Sequence, residues 1–429
     1  MILKNNILYL FIATLIIFVL SCNEQESFST FYIKTQIKDL NFGDYIPAKV
    51  TYSNNDIYTK EIDSYLKYRG NTSSSYNKKN FSLKFSTKQC FKNLDCNKKW
   101  KLNAEYVDKT LMRNKLSYDL FRSFSKKNIA PKINYTLVYL NDSFHGIYSL
   151  TQKVDQQLLK LYKNDTNALI FKHAPISQPT EKHKENHFNF IEFSNWAPFY
   201  KPFSERAMNK LLKEVYYNQR YPSINKINKK EEIHKITDYL YNSNDSEFSD
   251  STLFNTYFDI NNLIDWHLLL LITNNGDGLI KNFYIYKQGT NTPFRICPWD
   301  YDHSFGRDGG GGLDLESFID ISRVKILDRL IKTNAFNYNK KLYAKFLLLK
   351  KNNILTSANI NKMIDQNIKI ITPYIEKNEK RWPLDSLDHF KETNFKNEII
   401  LMQKWIKQRL PKVESHLFQL KNNIGKIAQ

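Results

Sequence analysis

Two strand-like runs, Phe-Tyr-Ile-Tyr-Lys at 283–287 and Phe-Arg-Ile-Cys-Pro at 294–298, flank a turn-forming stretch that opens at Gly289 and closes at Pro293. Gly, Asn and Pro between such runs reverse a chain, so this segment is constrained to a hairpin. Asp277 and Asn282 stand just before the first strand, and Asp300 stands just after the second. A hairpin of this length returns Asp300 to the side of Asn282, eighteen positions earlier.

An Asp and an Asn separated by four residues, with a further Asp nearby, match the spacing by which protein kinases orient an acceptor hydroxyl and hold magnesium. Asn282 and Asp300 offer hard oxygen donors suited to Mg2+. Spacing alone leaves a second reading open, in which Asn275-Gly276-Asp277-Gly278 is a surface turn that its own Asp and Asn cap.

The chain of 429 residues has room for one large two-lobed domain or two modest ones. With 41% hydrophobic and 14% aromatic residues it has ample core material, which excludes disorder over most of the length. A net charge of +20 favours phosphates, anionic lipid or acidic polymers as partners. Lys outnumbers Arg, and no Arg block alternates with aromatics, so nucleic acid is not an expected partner.

The N-terminus reads as a targeting segment. Lys4 precedes an apolar run at 7–20 that is short for a bilayer span, and the run ends Val19-Leu20-Ser21-Cys22. This resembles the lipobox of bacterial lipoproteins, which implies cleavage after residue 21, a lipid on Cys22, a polar tether over 22–30 and an extracytoplasmic, membrane-anchored protein. An ordinary secretory signal is the alternative, and either places the protein outside the cytoplasm. There, Cys90 and Cys96, six positions apart, suit a loop-closing disulfide, and Cys297 suits a buried thiol.

Residues 31–151 read mainly as strands. Phe81, Leu83 and Phe85 share one face of a strand, with Ser82 and Lys84 on the other. A helix is expected from 108–110 onward, carrying Leu111, Met112, Leu116, Leu120 and Phe121, and then a hairpin around Asn141-Asp142. Leu158, Leu159 and Leu161 suggest a helix, residues 204–217 another, residues 172–255 an insertion, and residues 243–250 a linker. Helical pattern resumes from Asp259 through Leu271, and the tail closes with an amphipathic helix around 399–410.

Ordered motifs extend this reading. Lys67-Tyr68-Arg69-Gly70-Asn71-Thr72-Ser73 is followed by Lys78-Lys79-Asn80-Phe81-Ser82-Leu83-Lys84-Phe85 and Trp100-Lys101-Leu102-Asn103-Ala104. Next come Met112-Arg113-Asn114-Lys115-Leu116-Ser117-Tyr118-Asp119-Leu120-Phe121, Gly146-Ile147-Tyr148-Ser149-Leu150 and the hairpin already described. In this order they resemble the CotH kinase family of spore-coat-protein-H-like atypical kinases.

The resemblance implies an α+β, atypical protein-kinase-like two-lobed fold, with a β-rich N-lobe at 31–155 and a mainly helical C-lobe at 156–429. It implies ATP with Mg2+ or Mn2+, Asp277 as catalytic base, and Asn282 and Asp300 as metal ligands. It also implies Lys84 as the phosphate-binding lysine, Arg69 and Asn71 over the phosphates, and Arg113 and Asn114 facing the same cleft. Asp302 is expected to order the site and the glycines at 309–312 to form a loop. The acceptor would be Ser or Thr of an envelope or surface protein.

The chain departs from the family at Gln152, where members usually carry Glu. That departure leaves room for a non-catalytic surface binding protein on the same scaffold, and an envelope glycan is the alternative acceptor.

Overall fold

A computed structural model describes residues 28–54, 57–70, 72–173, 187–189, 216–280, 282–307, 317–383 and 394–422. The signal segment with Cys22, Asn71, the glycines at 309–312 and the parts 174–186 and 190–215 of the expected 172–255 insertion lie outside them.

The N-terminal region is a closed barrel. Its strands are β1 (Ser29–Thr35), β2 (Ile46–Asn54), β4 (Ile62–Arg69), β5 (Asn80–Gln89), β6 (Asn97–Asn103), β7 (Ile133–Leu140) and β8 (Ser143–Gln152), with β3 (Ile57–Tyr58) appended to β2. The ring runs β1-β7-β8-β6-β5-β4-β2 and closes where β2 pairs with β1. All pairings are antiparallel except the parallel β1–β7 ladder.

Alternation sends Phe81, Leu83 and Phe85 inward, where they meet Trp100, Leu102 and Leu150 in a core with no exposure. The β7–β8 turn places Asn141 and Asp142 in the left-handed region, as a two-residue hairpin turn demands. The Asn141 amide then holds both backbone groups of Thr35 on β1.

The outer face of β7 and β8, through Ile133, Tyr135, Leu137 and Ile147, is part of a second and larger core. That core is built around α5 (Ile260–Thr273), which is buried on nearly every side. Packed around it are α1 (Arg113–Phe124), α7 (Lys325–Thr333), α8 (Tyr338–Lys351), α9 (Ser357–Arg381) and α10 (Phe395–Asn422). Smaller helices are α2 (Lys230–Asn242), α3 (Asp245–Phe248), α4 (Ser251–Tyr257) and α6 (Gly276–Ile280). A second, antiparallel sheet runs β10 (His187–Asn189), β11 (Tyr216–Tyr221), β9 (Leu169–His173), β12 (Phe283–Lys287) and β13 (Arg295–Pro298).

The molecule is therefore α+β, and several local expectations need correction. Helix α1 starts at Arg113 rather than near 108, because the Asp108 carboxylate accepts from the N–H groups of Thr110 and Arg113 at 2.9 and 2.8 Å. Leu111 between them is left-handed, which breaks any earlier start.

Leu158 and Leu159 lie in turns, not a helix, and pack against the second sheet near Tyr286 and Trp299. The expected 243–250 linker is partly helical: Asn244 and Glu247 form a reciprocal capping box on α3. Of the expected 204–217 helix, 204–215 lies outside the described residues, while Tyr216 and Tyr217 belong to β11. Lys172 and His173, expected to open a surface insertion, belong to β9. The tail helix runs well past 410, continuing through Pro411 to Asn422.

Candidate active site

The hairpin expected from the sequence is β12–β13, with Phe283 opposite Pro298. Upstream, α5 ends at a left-handed Asn274, and fully buried Asn275 accepts from the Gly278 N–H at 3.0 Å. These two caps turn the chain into the single turn of α6, so the expected Asn-Gly-Asp-Gly turn is helical and carries Asp277 in its first turn. The Asn282 N–H closes that turn onto the Asp277 carbonyl at 3.1 Å.

At the far end of the hairpin the Trp299 N–H donates to the Asn282 carbonyl at 3.0 Å. The Asn282 Nδ2 in turn donates to the Asp300 carbonyl at 2.9 Å. This side-chain bond leaves Asn282 Oδ1 as the hard-oxygen end of its amide.

Asp300 has φ +61°, unusual for a residue with a Cβ. Helix α1 holds it there. The Tyr118 hydroxyl accepts from the Asp300 N–H at 2.8 Å, and Asn114 Oδ1 accepts from the Tyr301 N–H at 2.6 Å. Asn114 Nδ2 donates to Glu105 at 2.9 Å. Arg113 is 1% exposed, donates to the Ser304 carbonyl at 2.9 Å, and pairs with Asp108 and Glu398. Arg113 and Asn114, expected to face bound nucleotide, instead brace the loop that carries Asp300.

The loop is acidic. Burial first, then Asp300, Asp108 and Asp277, raise half-buried Asp302 to about 6, while His303 opposes the shift. Burial also raises Glu105 to about 8, against its bond from Asn114. Carboxylates that resist ionisation together invite a cation. Among the described residues, no group of three or more His, Cys, Asp or Glu is arranged to hold a metal by itself. Mg2+ rarely requires such a cage, since one or two carboxylates and substrate phosphates suffice. The donor set of Asp300, Asn282 and nearby Asp302 fits that mode of binding.

Around Trp299, the residue before Asp300, lies a basic strand face. Arg69 on β4 donates to Asn103 Oδ1, with its guanidinium carbon 5.8 Å from the Trp299 ring centre. Lys172 on β9 lies 5.7 Å from the same ring. Lys101 on β6 donates to Ser82 Oγ at 2.7 Å. Burial pushes the Lys101 ammonium well below its usual range, helped by Arg69, Lys153, Lys67 and Lys172.

Lys84, singled out from the sequence, points to the same outer face one rung further along, where it lies 5.5 Å from the ring of exposed Tyr65. Lys101 is therefore the lysine drawn into the cationic cluster. Both alternate outward on their strands, so only the register across β5 and β6 separates them. Gln152 faces away from this cleft. It accepts from the Lys132 N–H at 2.9 Å and donates to Asp95 at 3.1 Å, so its replacement of a carboxylate changes a barrel contact.

Cys90 and Cys96 form a disulfide, and Cys297 is buried and free. Cys22 and Asn71 lie outside the described residues.

A closed barrel on a helical body, with an acidic hairpin loop next to a cluster of basic side chains around Trp299, defines an α+β protein. The CotH kinase protein family matches residues 66–413, and the chain belongs to that family. It is similar to the inner spore coat protein H of Bacillus subtilis (strain 168), with 23% identity over 388 residues, 89% of this chain and 93% of that protein.

Proposed function

We propose that this protein is an atypical, two-lobed kinase that transfers the γ-phosphoryl group of ATP to Ser or Thr of an extracytoplasmic protein. The observation that carries the reading is the Asn282–Asp300 bond, which sets two hard-oxygen residues at the end of one hairpin. They stand next to a Trp299 ring that Arg69 and Lys172 approach and in whose cationic cluster Lys101 also lies.

In this reading Asp277 orients the acceptor hydroxyl and takes its proton. Asn282 and Asp300 hold Mg2+ or Mn2+, with Asp302 beside them. Bound, the metal supplies charge neutralisation on the phosphates. Arg69 and Lys101 oppose the remaining phosphate charge, and a phosphate beside Lys101 favours its protonated form. Tyr118 and Asn114 keep the Asp300 backbone in its left-handed geometry.

The reading includes a lipid on Cys22 and a site of action outside the cytoplasm. The Val19-Leu20-Ser21-Cys22 run and the Cys90–Cys96 disulfide support this placement. Among the described residues no helix is long and apolar enough to cross a membrane.

The test is incorporation of labelled γ-phosphate by purified protein with Mg2+ or Mn2+. Asp277→Ala and Asp300→Ala are each expected to abolish it. Undiminished labelling by both variants would sink the assignment. Mass spectrometry of the mature N-terminus tests the lipid on Cys22.

A further inference from the structure

The C-terminal helix α10 carries two charged side chains that are each 1% exposed, Glu398 and Arg409. They are eleven residues apart, so they lie on one face, separated by about three turns or roughly 16 Å. Each grips a different shoulder of the candidate site.

Glu398 Oε2 accepts from Arg113 Nη2 at 3.0 Å and from Arg307 Nε at 2.9 Å, and its Oε1 pairs with Arg307 Nη2. Arg307 follows Asp302 by five residues, and Arg113 adjoins the Asn114 that holds Tyr301. Arg409 donates from Nε to the Leu271 carbonyl at 2.8 Å and from Nη2 to Asn274 Oδ1 at 2.6 Å, just before Asp277. Its Nη1 donates to the Ser317 carbonyl at 2.8 Å.

We infer that α10 is a positioning strut, through which Glu398 fixes the Asp300 loop and Arg409 fixes the approach to Asp277. The inference rests on the reading of Asp277, Asn282 and Asp300 as the reacting site. Its physical basis is that all these contacts are buried or part-buried and charge-assisted, and that all issue from one helix whose repeat sets their separation. Neither residue touches the expected position of substrate, so both act through the loops they hold.

Amide hydrogen exchange in the full chain tests this, with Arg307→Gln and Glu398→Gln for the Asp300 loop and Arg409→Gln for the Asp277 approach. In Arg307→Gln and Glu398→Gln, exchange over 300–307 is expected to rise roughly tenfold while 262–280 stays unchanged. Arg409→Gln is expected to show the reverse pattern. Ile400→Ala, at an exposed position on the same helix, is expected to change neither. The Mn2+ needed to half-saturate ATP binding is expected to rise several-fold in Arg307→Gln.

Unchanged exchange at 300–307 in folded Arg307→Gln, or a uniform rise across the whole molecule, would overturn the inference. If Glu398→Gln fails to fold, Arg307→Gln decides alone. If the wild-type protein binds no nucleotide, the proposed activity fails while the exchange experiment still judges the strut.

Discussion

Asn282 and Asp300, eighteen positions apart in the chain, are joined by a 2.9 Å hydrogen bond from a side-chain amide to a backbone carbonyl. The bond fastens the two ends of the β12–β13 hairpin through the Asp300 backbone, so it does not spend the Asp300 carboxylate. The first consequences concern which basic residues matter.

Lys101→Ala is expected to lower kcat/KM for ATP by about 100-fold, the usual scale for removing one preorganised charge from a phosphoryl-transfer site. Lys84→Ala, at a position beside exposed Tyr65, is expected to stay within about threefold of wild type. Steady-state kinetics with varied ATP distinguish the two. Equal losses would mean that strand register does not select the phosphate-binding lysine.

Glu105 gives the ligand-free protein a pH signature. Its folded value, raised to about 8, lies above that of the unfolded chain, so it contributes stability at low pH that is lost as pH rises toward 8. Asp302, raised to about 6, acts in the same direction over a lower window. Burial lowers Lys78 to about 7, so Lys78 opposes the trend only above that pH. Burial lowers His145 to about 4 and His267 to about 3, so these histidines act in the opposite sense up to their ordinary value. The Glu105 contribution is therefore read as a difference: in thermal melts the stability of wild type relative to Glu105→Gln is expected to fall between pH 5 and 7. A difference between the two proteins that stays level or rises over that range would contradict the assignment.

Gly146 lies at φ +119° on β8, where an added Cβ would sit 2.8 Å from Asn378 Oδ1 and 3.0 Å from Trp382 Nε1. Those two groups dock α9 and the residue after it onto β8, through the Ile147 N–H at 3.0 Å and the His145 carbonyl at 2.6 Å. Gly146→Ala is expected to cost about 3 kcal/mol from combined strain and overpacking. Denaturant titration measures this directly, and a loss below about 1 kcal/mol would show that the α9 contact yields freely.

The Cys90–Cys96 bridge closes a short loop whose Phe91 and Leu94 reach the barrel core. Replacing both cysteines with Ser is expected to destabilise the fold by about 2 kcal/mol, because the unfolded chain regains the freedom the loop had lost. The wild-type melting temperature should fall on reduction, while that of the double variant should not respond to reductant.

Some of this architecture was legible in the sequence because its causes are local. Turn residues between two strand-like runs specify β12–β13, and Asn141-Asp142 specifies the β7–β8 turn, whatever surrounds them. The face of β5 follows from alternation alone. Elsewhere the deciding partner is remote in sequence. The start of α1 depends on how the Asp108 carboxylate is spent, and the closure of the barrel depends on β1 pairing with β7, more than a hundred residues later. The choice between Lys84 and Lys101 needs cross-strand register. Arg113 reads as a cleft residue until Glu398, 285 positions away, is placed against it.

β1 is the first strand of the described chain, yet residues 30–33 are paired along both edges, in parallel with β7 and antiparallel with β2. A pull applied upstream of Ser29 cannot peel this strand from a single neighbour; it must rupture two ladders at once. Mechanical load entering at the N-terminus is thus taken up by the barrel wall, before it reaches the hairpin that carries Asn282 and Asp300.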